Sequence, residues 1–264
     1  MVPRSVAKRA KKKPAKAPAK KQSKRAKPKA KPESDGGWRI FAPFRRARKW
    51  IVRGALGVLA LILAVVFLFG FVAPPTTPYI VSEARRLGGI DRSWIAFEDV
   101  ASVMPRSVVA AEDANFCSHW GFDMEAIREA LEAGGQRGAS TISQQVVKNV
   151  FLWQGRSWPR KAMEASLTPL VEALWSKQRI LEVYLNVAEF DEGVFGVEAA
   201  AHHYFKTHPS KLTARQASLL AAVLPNPKGR SASNPSSWLS RRANSIADGA
   251  ATIRADGRAE CFEG

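Results

Sequence analysis

Residues 138–149 read GASTISQQVVKN, and this stretch predicts the start of a helix in a helical domain. Thr141 and Gln144 have the spacing of a capping box, in which each side chain hydrogen-bonds the backbone of the other residue. The apolar residues that follow lie at helical spacing and form one face: Ile142, Val146 and Val147. A helix is therefore expected to begin near Thr141.

Similar signals recur in the C-terminal half of the chain. Thr213 and Gln216 repeat the capping box, and Pro225 closes the apolar run that follows them. Residues 180–185 and 199–205 form further apolar faces at helical spacing. No alternation of apolar and polar residues is sustained, so the sequence predicts a mainly α fold with one core.

Almost all of the excess positive charge lies in the first 53 residues. The chain has a formal net charge of +18, from 41 Lys and Arg against 23 Asp and Glu. Residues 1–53 hold 20 of the basic and 2 of the acidic residues, which leaves 21 of each for the rest. Residues 7–32 are almost entirely Ala, Lys, Pro and Arg, so this tail is expected to be disordered. The neutral remainder lacks the basic face that a folded nucleic-acid-binding module requires, and nucleic acid is not an expected partner.

Residues 54–73 form an uncharged apolar stretch, which at about twenty residues is long enough to cross a hydrocarbon core of roughly 30 Å. A cleaved signal peptide is the alternative, but its apolar core has about 7–15 residues and ends in a small-x-small site. Here the run is longer and ends at Pro74 and Pro75, which favours an uncleaved membrane helix. Basic residues lie just before this helix and the next one after it is Arg85, so the positive-inside rule places the N-terminus in the cytoplasm.

The expected organisation has four parts. Residues 1–53 form a disordered, basic cytoplasmic tail, and residues 54–73 form a transmembrane helix. Residues 74–95 are a membrane-proximal spacer that begins with several prolines, and residues 96–264 form the folded domain on the outer side of the membrane.

Cys117 and Cys261 are the only cysteines in the chain. They form no C-x-x-C pair of the kind found in metal and redox sites. Whether they join in a disulfide stays open at this point, because nothing in the sequence fixes their separation in space.

Five ordered segments between about residues 100 and 235 carry a specific pattern. They read EDANFCSHWGFD (112–123), GASTISQQVVKN (138–149), RKAME (160–164), KQRILEVYLN (177–186) and GVFGVEAAAHHYF (193–205). In order and spacing they resemble the motifs of the peptidoglycan glycosyltransferases. That family includes monofunctional biosynthetic transglycosylases and the N-terminal domains of bifunctional penicillin-binding proteins.

The resemblance implies a mostly helical, lysozyme-like fold with a membrane-facing jaw. Because the chain ends about 30 residues after Pro235, no transpeptidase domain is expected.

The resemblance also implies a reaction, the polymerisation of lipid II into glycan strands. In the family, the 4-hydroxyl of an acceptor lipid II attacks the anomeric carbon of the growing chain, and undecaprenyl diphosphate leaves. A sugar hydroxyl is a poor nucleophile and a diphosphate carries concentrated charge, so the site needs a carboxylate base and cations. The expected partners are lipid II, the nascent glycan strand, the bacterial inner membrane and other proteins of cell-wall synthesis.

Two carboxylates match the family's catalytic positions. Glu112 matches the base, and Glu164 matches the second essential carboxylate. The role of Glu164 is open between orienting cations, binding a metal and relaying a proton. The sequence contains no D-x-D metal motif, so charge neutralisation is assigned to protein cations and a requirement for Mg²⁺ stays open.

Several other residues match substrate-binding positions. Lys148 and Arg156 match residues that hold the diphosphate, with Arg160 and Lys161 in supporting positions, since guanidinium and ammonium groups suit phosphate oxygens. Four polar residues either bind sugar or phosphate, or serve helix capping and packing: Ser140, Thr141, Gln144 and Gln145. Residues 151–158 mix aromatic and basic side chains, which is typical of a bilayer surface, although ordinary core aromatics on a loop also explain them.

Two rival functions are weighed against this hypothesis. A lytic transglycosylase or muramidase shares the fold and a catalytic Glu, but cleavage of finished glycan does not require a cluster of cations for a diphosphate. An inactive scaffold for cell-wall synthesis is the second rival, and the presence of both Glu112 and Glu164 argues against it.

Overall fold

The computed structural model describes residues 42–134 and 138–263, and the disorder predicted for residues 7–32 lies outside them. The chain divides into two units, residues 1–53 and 54–264. Within the described residues the fold is mainly helical, as predicted. The helices are α1 Ala42–Phe69, α2 Pro78–Leu87, α3 Val103–Glu112, α4 Met124–Glu132, α5 Ile142–Phe151, α6 Trp158–Leu174, α7 Lys177–Val187, α8 Val197–Phe205, α9 Ala214–Val223, α10 Ser237–Ala255 and α11 Glu260–Glu263.

A small sheet accompanies the helices. Its strands are β1 Asp91–Arg92, β2 Glu189–Asp191 and β3 Val194–Phe195, in the order β1-β3-β2. Strand β1 runs parallel to β3, and β2 runs antiparallel to it. Strands of two or three residues are too short to leave an alternating pattern, which is why the sequence did not predict them.

Helix α1 contains a span of 23 residues, Ala47–Phe69, within which an 18-residue window has a mean hydropathy of 2.7. This span is long and apolar enough to cross a membrane. The helix begins at Ala42, so residues 42–53, which the sequence placed in the disordered tail, are helical. The reason is that Ala, Arg and Lys have high helix propensity and extend a helix that the apolar span already forms.

The predicted spacer, residues 74–95, contains ordered elements of the folded unit. Thr77 caps α2 by accepting a hydrogen bond from the backbone N–H of Ile80 at 3.2 Å, and Pro78 occupies the first helical position. Strand β1 follows within the same segment. The folded unit therefore includes part of what the sequence indicated as a spacer.

Two groups of packed helices form the core. Helices α3, α9 and α10 pack against one another, and α5 packs against both α6 and α7. The core contains fully buried side chains from both groups, such as Met104, Ile142 and Leu220. Helix α5 begins at the capping box predicted from Thr141 and Gln144, and its central place in the second group positions the polar side chains that it carries.

Cys117 and Cys261 are joined in a disulfide, which answers the question that the sequence left open. Their Cα atoms lie 5.6 Å apart, although 144 residues separate them in the chain. The bond attaches α11 to the loop that follows α3, where the rings of Phe116 and Phe262 also contact each other. It therefore closes residues 117–261 into one covalent loop, with α2, β1 and α3 outside it.

Replacing both cysteines, Cys117→Ala with Cys261→Ala, is expected to lower the free energy of unfolding by about 2–5 kcal/mol, because a long loop restricts the unfolded chain strongly. Thermal unfolding of the full chain in detergent, with and without reductant, measures this. Reductant should lower the Tm of the wild type and leave that of the double variant unchanged. A wild-type Tm that does not respond to complete reduction would contradict the prediction.

Candidate active site

Glu112 is the last residue of α3, and Gln145 of α5 donates a hydrogen bond to its carboxylate at 2.8 Å. Tyr184 of α7 in turn donates to the amide oxygen of Gln145 at 3.2 Å. Burial raises the pKa of Glu112, and the Gln145 hydrogen bond and the positive charges of Arg242 and Lys148 offset this only in part. A carboxylate with a raised pKa is a better proton acceptor, which suits a general base.

Asp113 fixes the end of α3 against the start of α5. It is 7% exposed, and its carboxylate accepts a hydrogen bond from the backbone N–H of Ile142 at 2.9 Å. Its other oxygen lies 2.8 Å from Nε2 of His119. Because Ile142 is in the first turn of α5, the carboxylate satisfies an N–H without a helical partner and complements the helix dipole. Asp113 thereby fixes the position of Glu112 relative to the side chains of α5.

Gly121 lets the loop after α3 pass close to α6. Its φ is +84°, and a Cβ atom there would lie 2.6 Å from a methyl group of Thr168. Its carbonyl accepts a hydrogen bond from the hydroxyl of Thr141 at 2.7 Å. The glycine in this segment is thus required by the packing of the loop.

Glu164 lies on α6 and is 3% exposed. Arg160, four residues earlier, donates to one carboxylate oxygen at 2.6 Å, and the ammonium group of Lys161 contacts the other oxygen. Residues three and four positions apart lie on the same face of a helix, so this arrangement is local. The paired charges make burial of the carboxylate tolerable, and in return Glu164 holds both cations in place.

Lys148 lies on α5 and is affected by both carboxylates. Burial lowers the pKa of Lys148, while the negative charges of Glu164 and Glu112 act in the opposite direction. The neighbouring cations Arg160 and Lys161 lower it as well. Lys148 is therefore the electrostatic link between the two carboxylates of the site.

Two cavities adjoin in this region. One, of about 280 Å³, is lined by Arg156, Ser157, Trp158, Arg160 and Lys161. The other, of about 240 Å³, is lined by residues that include Glu112, Ser140 and Thr141. The Lys161 ammonium group reaches the Ser140 hydroxyl at 3.4 Å, which joins the rims of the two cavities. The cationic cavity therefore lies next to the cavity beside Glu112.

The sequence left four polar residues open between substrate binding and helix capping or packing, and the structure divides them into two pairs. Thr141 and Gln144 form the capping box, with hydrogen bonds of 3.3 and 3.1 Å, and are 2% and 4% exposed. Both therefore serve as caps, and Thr141 also lines the cavity beside Glu112. Ser140 lines the cavity beside Glu112, and Gln145 contacts the carboxylate of Glu112 itself.

Sequence reasoning missed Arg242 and the role of Lys177. Arg242 of α10 lies beyond the last segment of the pattern, yet it donates to the carbonyl of Ala111 at 3.1 Å and its charge acts on Glu112. Lys177 donates to the carbonyl of His119 at 2.8 Å and pairs with Glu172 at 2.9 Å. Lys177 was visible as the first residue of the fourth segment, but spacing alone does not reveal its contacts.

A helical domain that places a buried carboxylate beside a cluster of cations has the features of an enzyme that transfers a sugar from a diphosphate. A sequence model of the Transglycosylase family matches residues 81–251, and the chain belongs to this family.

Several proteins called biosynthetic peptidoglycan transglycosylase are similar to the chain. That of Jannaschia sp. (strain CCS1) is 61% identical over 215 residues, which cover 81% of this chain and 90% of that protein. That of Pseudomonas syringae pv. syringae (strain B728a) is 50% identical over 206 residues, covering 74% and 87%. That of Caulobacter vibrioides is 42% identical over 220 residues, covering 80% and 96%. The similarity extends over most of the length of each relative.

Proposed function

We propose that the chain polymerises lipid II into the glycan strands of peptidoglycan, with Glu112 as the general base. Membership of the Transglycosylase family and the name shared by its relatives support strand polymerisation. The observation that supports the assignment of residues is the combination of a partly buried Glu112, whose pKa is raised, with the nearby cations around Glu164. These are the two chemical elements that transfer from a diphosphate requires.

In the proposed step, Glu112 accepts the proton of the acceptor 4-hydroxyl as that oxygen bonds to the anomeric carbon of the growing chain. The bond from that carbon to the diphosphate oxygen breaks, and its electron pair leaves with undecaprenyl diphosphate. Four cations neutralise the charge that develops on the leaving group: Lys148, Arg156, Arg160 and Lys161. Gln145 positions the carboxylate of Glu112 through its hydrogen bond.

For Glu164 we propose an orienting role among the three that the sequence left open. Both of its carboxylate oxygens contact cations of the same helix, Arg160 and Lys161. A planar guanidinium and an ammonium group that are already held in place bind phosphate oxygens with less loss of side-chain entropy.

Incubation of the purified full chain with lipid-linked disaccharide-pentapeptide tests the proposal. Separation of the products by length should show a ladder of glycan strands whose formation moenomycin blocks. Failure to form a ladder under varied detergent and metal conditions would favour an inactive scaffold. Release of fragments from finished glycan would instead favour a muramidase, a function for which the cationic cavity has no evident use.

The membrane association that α1 supports has an expected orientation, with the N-terminus in the cytoplasm and the catalytic domain in the periplasm. The reason is the excess of Lys and Arg just before the apolar span. A C-terminal fusion to a reporter that is active only in the periplasm should therefore be active, and a reporter that requires the cytoplasm should not. Activity of the cytoplasmic reporter alone would contradict this topology.

Contact with the bilayer is also proposed for the segment between α5 and α6. Trp153 and Trp158 are 47% and 88% exposed, which argues against the alternative that they are core aromatics. Exposed tryptophans beside arginines suit a membrane surface, and a lipid-bound substrate has to be met there. Other proteins of cell-wall synthesis are also proposed as partners, because they would meet the chain at the same membrane surface.

A further inference from the structure

Two side chains, one at the C-terminal end of α6 and one in the first turn of α7, hold the C-terminal end of the membrane helix α1. Trp175 donates from its indole N–H to the carbonyl of Val66 at 2.8 Å. Arg179 donates to the carbonyl of Phe69 at 2.9 and 3.1 Å and to that of Val72 at 2.8 Å. The carbonyl of Val66 also accepts from the backbone N–H of Gly70 at 3.2 Å. The last carbonyl of the helix, that of Phe69, has no such partner within it, and unpaired carbonyls are costly near a hydrocarbon region. These bonds therefore stabilise the end of α1.

The position of Arg179 is explained by α1 and not by its own helix. A positive charge in the first turn of α7 is unfavourable with respect to the dipole of α7. Glu182 offsets part of this through an ion pair of 2.7 Å. The C-terminal end of α1 offsets the remainder of this unfavourable interaction, because the C-terminal end of a helix attracts cations.

Close packing supports the same junction. A Cβ atom on Gly70 would lie 3.0 Å from the ring of Trp175, so a side chain there would require the ring to move by a few tenths of an ångström. The rings of Phe69 and Phe151 stack with centroids 6.1 Å apart, and Phe151 also contacts Trp175 at 6.2 Å. The junction is thus a packed contact with hydrogen bonds, not a flexible tether.

The two helices that form this junction also carry the active site. On α5, Phe151 follows Lys148 by three residues, which corresponds to about 5 Å along the helix axis. On α7, Tyr184 follows Arg179 by five residues, or about 8 Å, and Tyr184 is linked through Gln145 to Glu112. The end of the membrane helix and the catalytic groups are therefore joined by short, rigid segments.

We propose that Trp175 and Arg179 are positioning residues that clamp α1 to the catalytic domain, so that the site is held at a fixed height and orientation against the bilayer. This inference rests on the proposed function, since it assumes a substrate whose diphosphate lies at the membrane surface. The clamp acts through the end of α1 and does not touch the substrate.

The test compares one reaction in two settings, using the full chain. The first setting is vesicles that contain a long-chain lipid-linked disaccharide, and the second is detergent with a short-chain, water-soluble analogue. In Gly70→Val the new side chain should separate α1 from Trp175. This variant and Arg179→Ala are expected to reduce the rate in vesicles by about 10- to 10²-fold, as misplacement by about 1 Å does in other enzymes. The rate with the soluble analogue should stay close to that of the wild type.

Arg215→Ala is the matched control, because Arg215 also donates to a backbone carbonyl, that of Ser240, but lies at the contact of α9 and α10. It should leave both rates unchanged. A fluorophore attached at Ser233→Cys gives a readout that does not depend on activity. Its residual anisotropy in vesicles should fall in Arg179→Ala and not in Arg215→Ala.

Equal losses with both substrates would overturn the clamp, because they would indicate general damage to the fold. Unchanged rates and anisotropy in both junction variants would overturn it as well. A wild-type chain that polymerises neither substrate would overturn the proposed function instead, while the anisotropy would still decide whether the junction is rigid.

Discussion

Glu112→Gln is expected to reduce the rate of glycan polymerisation by about 10²- to 10⁴-fold, the usual contribution of a general base. Glutamine keeps the size of the side chain and its hydrogen bond to Gln145, but it cannot accept a proton from the acceptor hydroxyl. Affinity for the lipid-linked substrate should therefore change little. The measurement is the initial rate of strand formation beside the binding affinity, for the full chain in detergent.

Glu98→Gln, at an exposed glutamate outside the site, serves as the control and should behave as the wild type. The pH profile provides a second check. The active form of Glu112 is deprotonated, so the rate should be lost as the pH falls through a pKa that burial has raised above 4.5. The charge of Arg242 lowers this pKa, so Arg242→Gln should move the acid limb to higher pH. A near-normal rate for Glu112→Gln would show that another group is the base.

Lys148→Ala is expected to slow polymerisation by about 10²-fold or more, the typical effect of removing one group that stabilises developing charge. The loss should be large because Lys148 is the cation that interacts with both Glu112 and Glu164. Removing it leaves the diphosphate less compensated and also removes a charge that favours ionised Glu112. Lys211→Ala, at an exposed lysine far along the chain, is the control. Normal turnover by Lys148→Ala would remove the diphosphate assignment from this residue.

Glu164→Gln distinguishes the orienting role from a chemical one. If Glu164 holds Arg160 and Lys161 in place, its loss should weaken binding of the lipid-linked substrate as well as turnover. Binding measured by the same assay as for Glu112→Gln makes the two carboxylates directly comparable. A variant that binds normally and fails to react would indicate that Glu164 takes part in the chemistry itself.

The predictions from the sequence succeeded where the contacts are local. The capping boxes at Thr141 and Thr213 were confirmed, because a side chain there bonds a backbone group three residues away. The observed helix, Ala42–Phe69, begins and ends earlier than the predicted residues 54–73. Helix ends depend on helix propensity beyond the apolar run and on the contact at Gly70. The small sheet was missed because its strands form only when distant segments meet.

The sequence by itself determined the helical class, an apolar span long enough to cross a membrane, and the family, and it predicted the residues for the chemistry. It did so because helix periodicity, capping and the three- and four-residue spacing of Arg160, Lys161 and Glu164 are properties of neighbouring residues. Only the tertiary structure decided which distant groups meet. Gln145 reaches Glu112 across 33 residues, the disulfide spans 144, and Arg179 meets the end of α1 across 110. Such contacts depend on how whole helices pack, and no local pattern encodes the distance between two helices that are far apart in the chain.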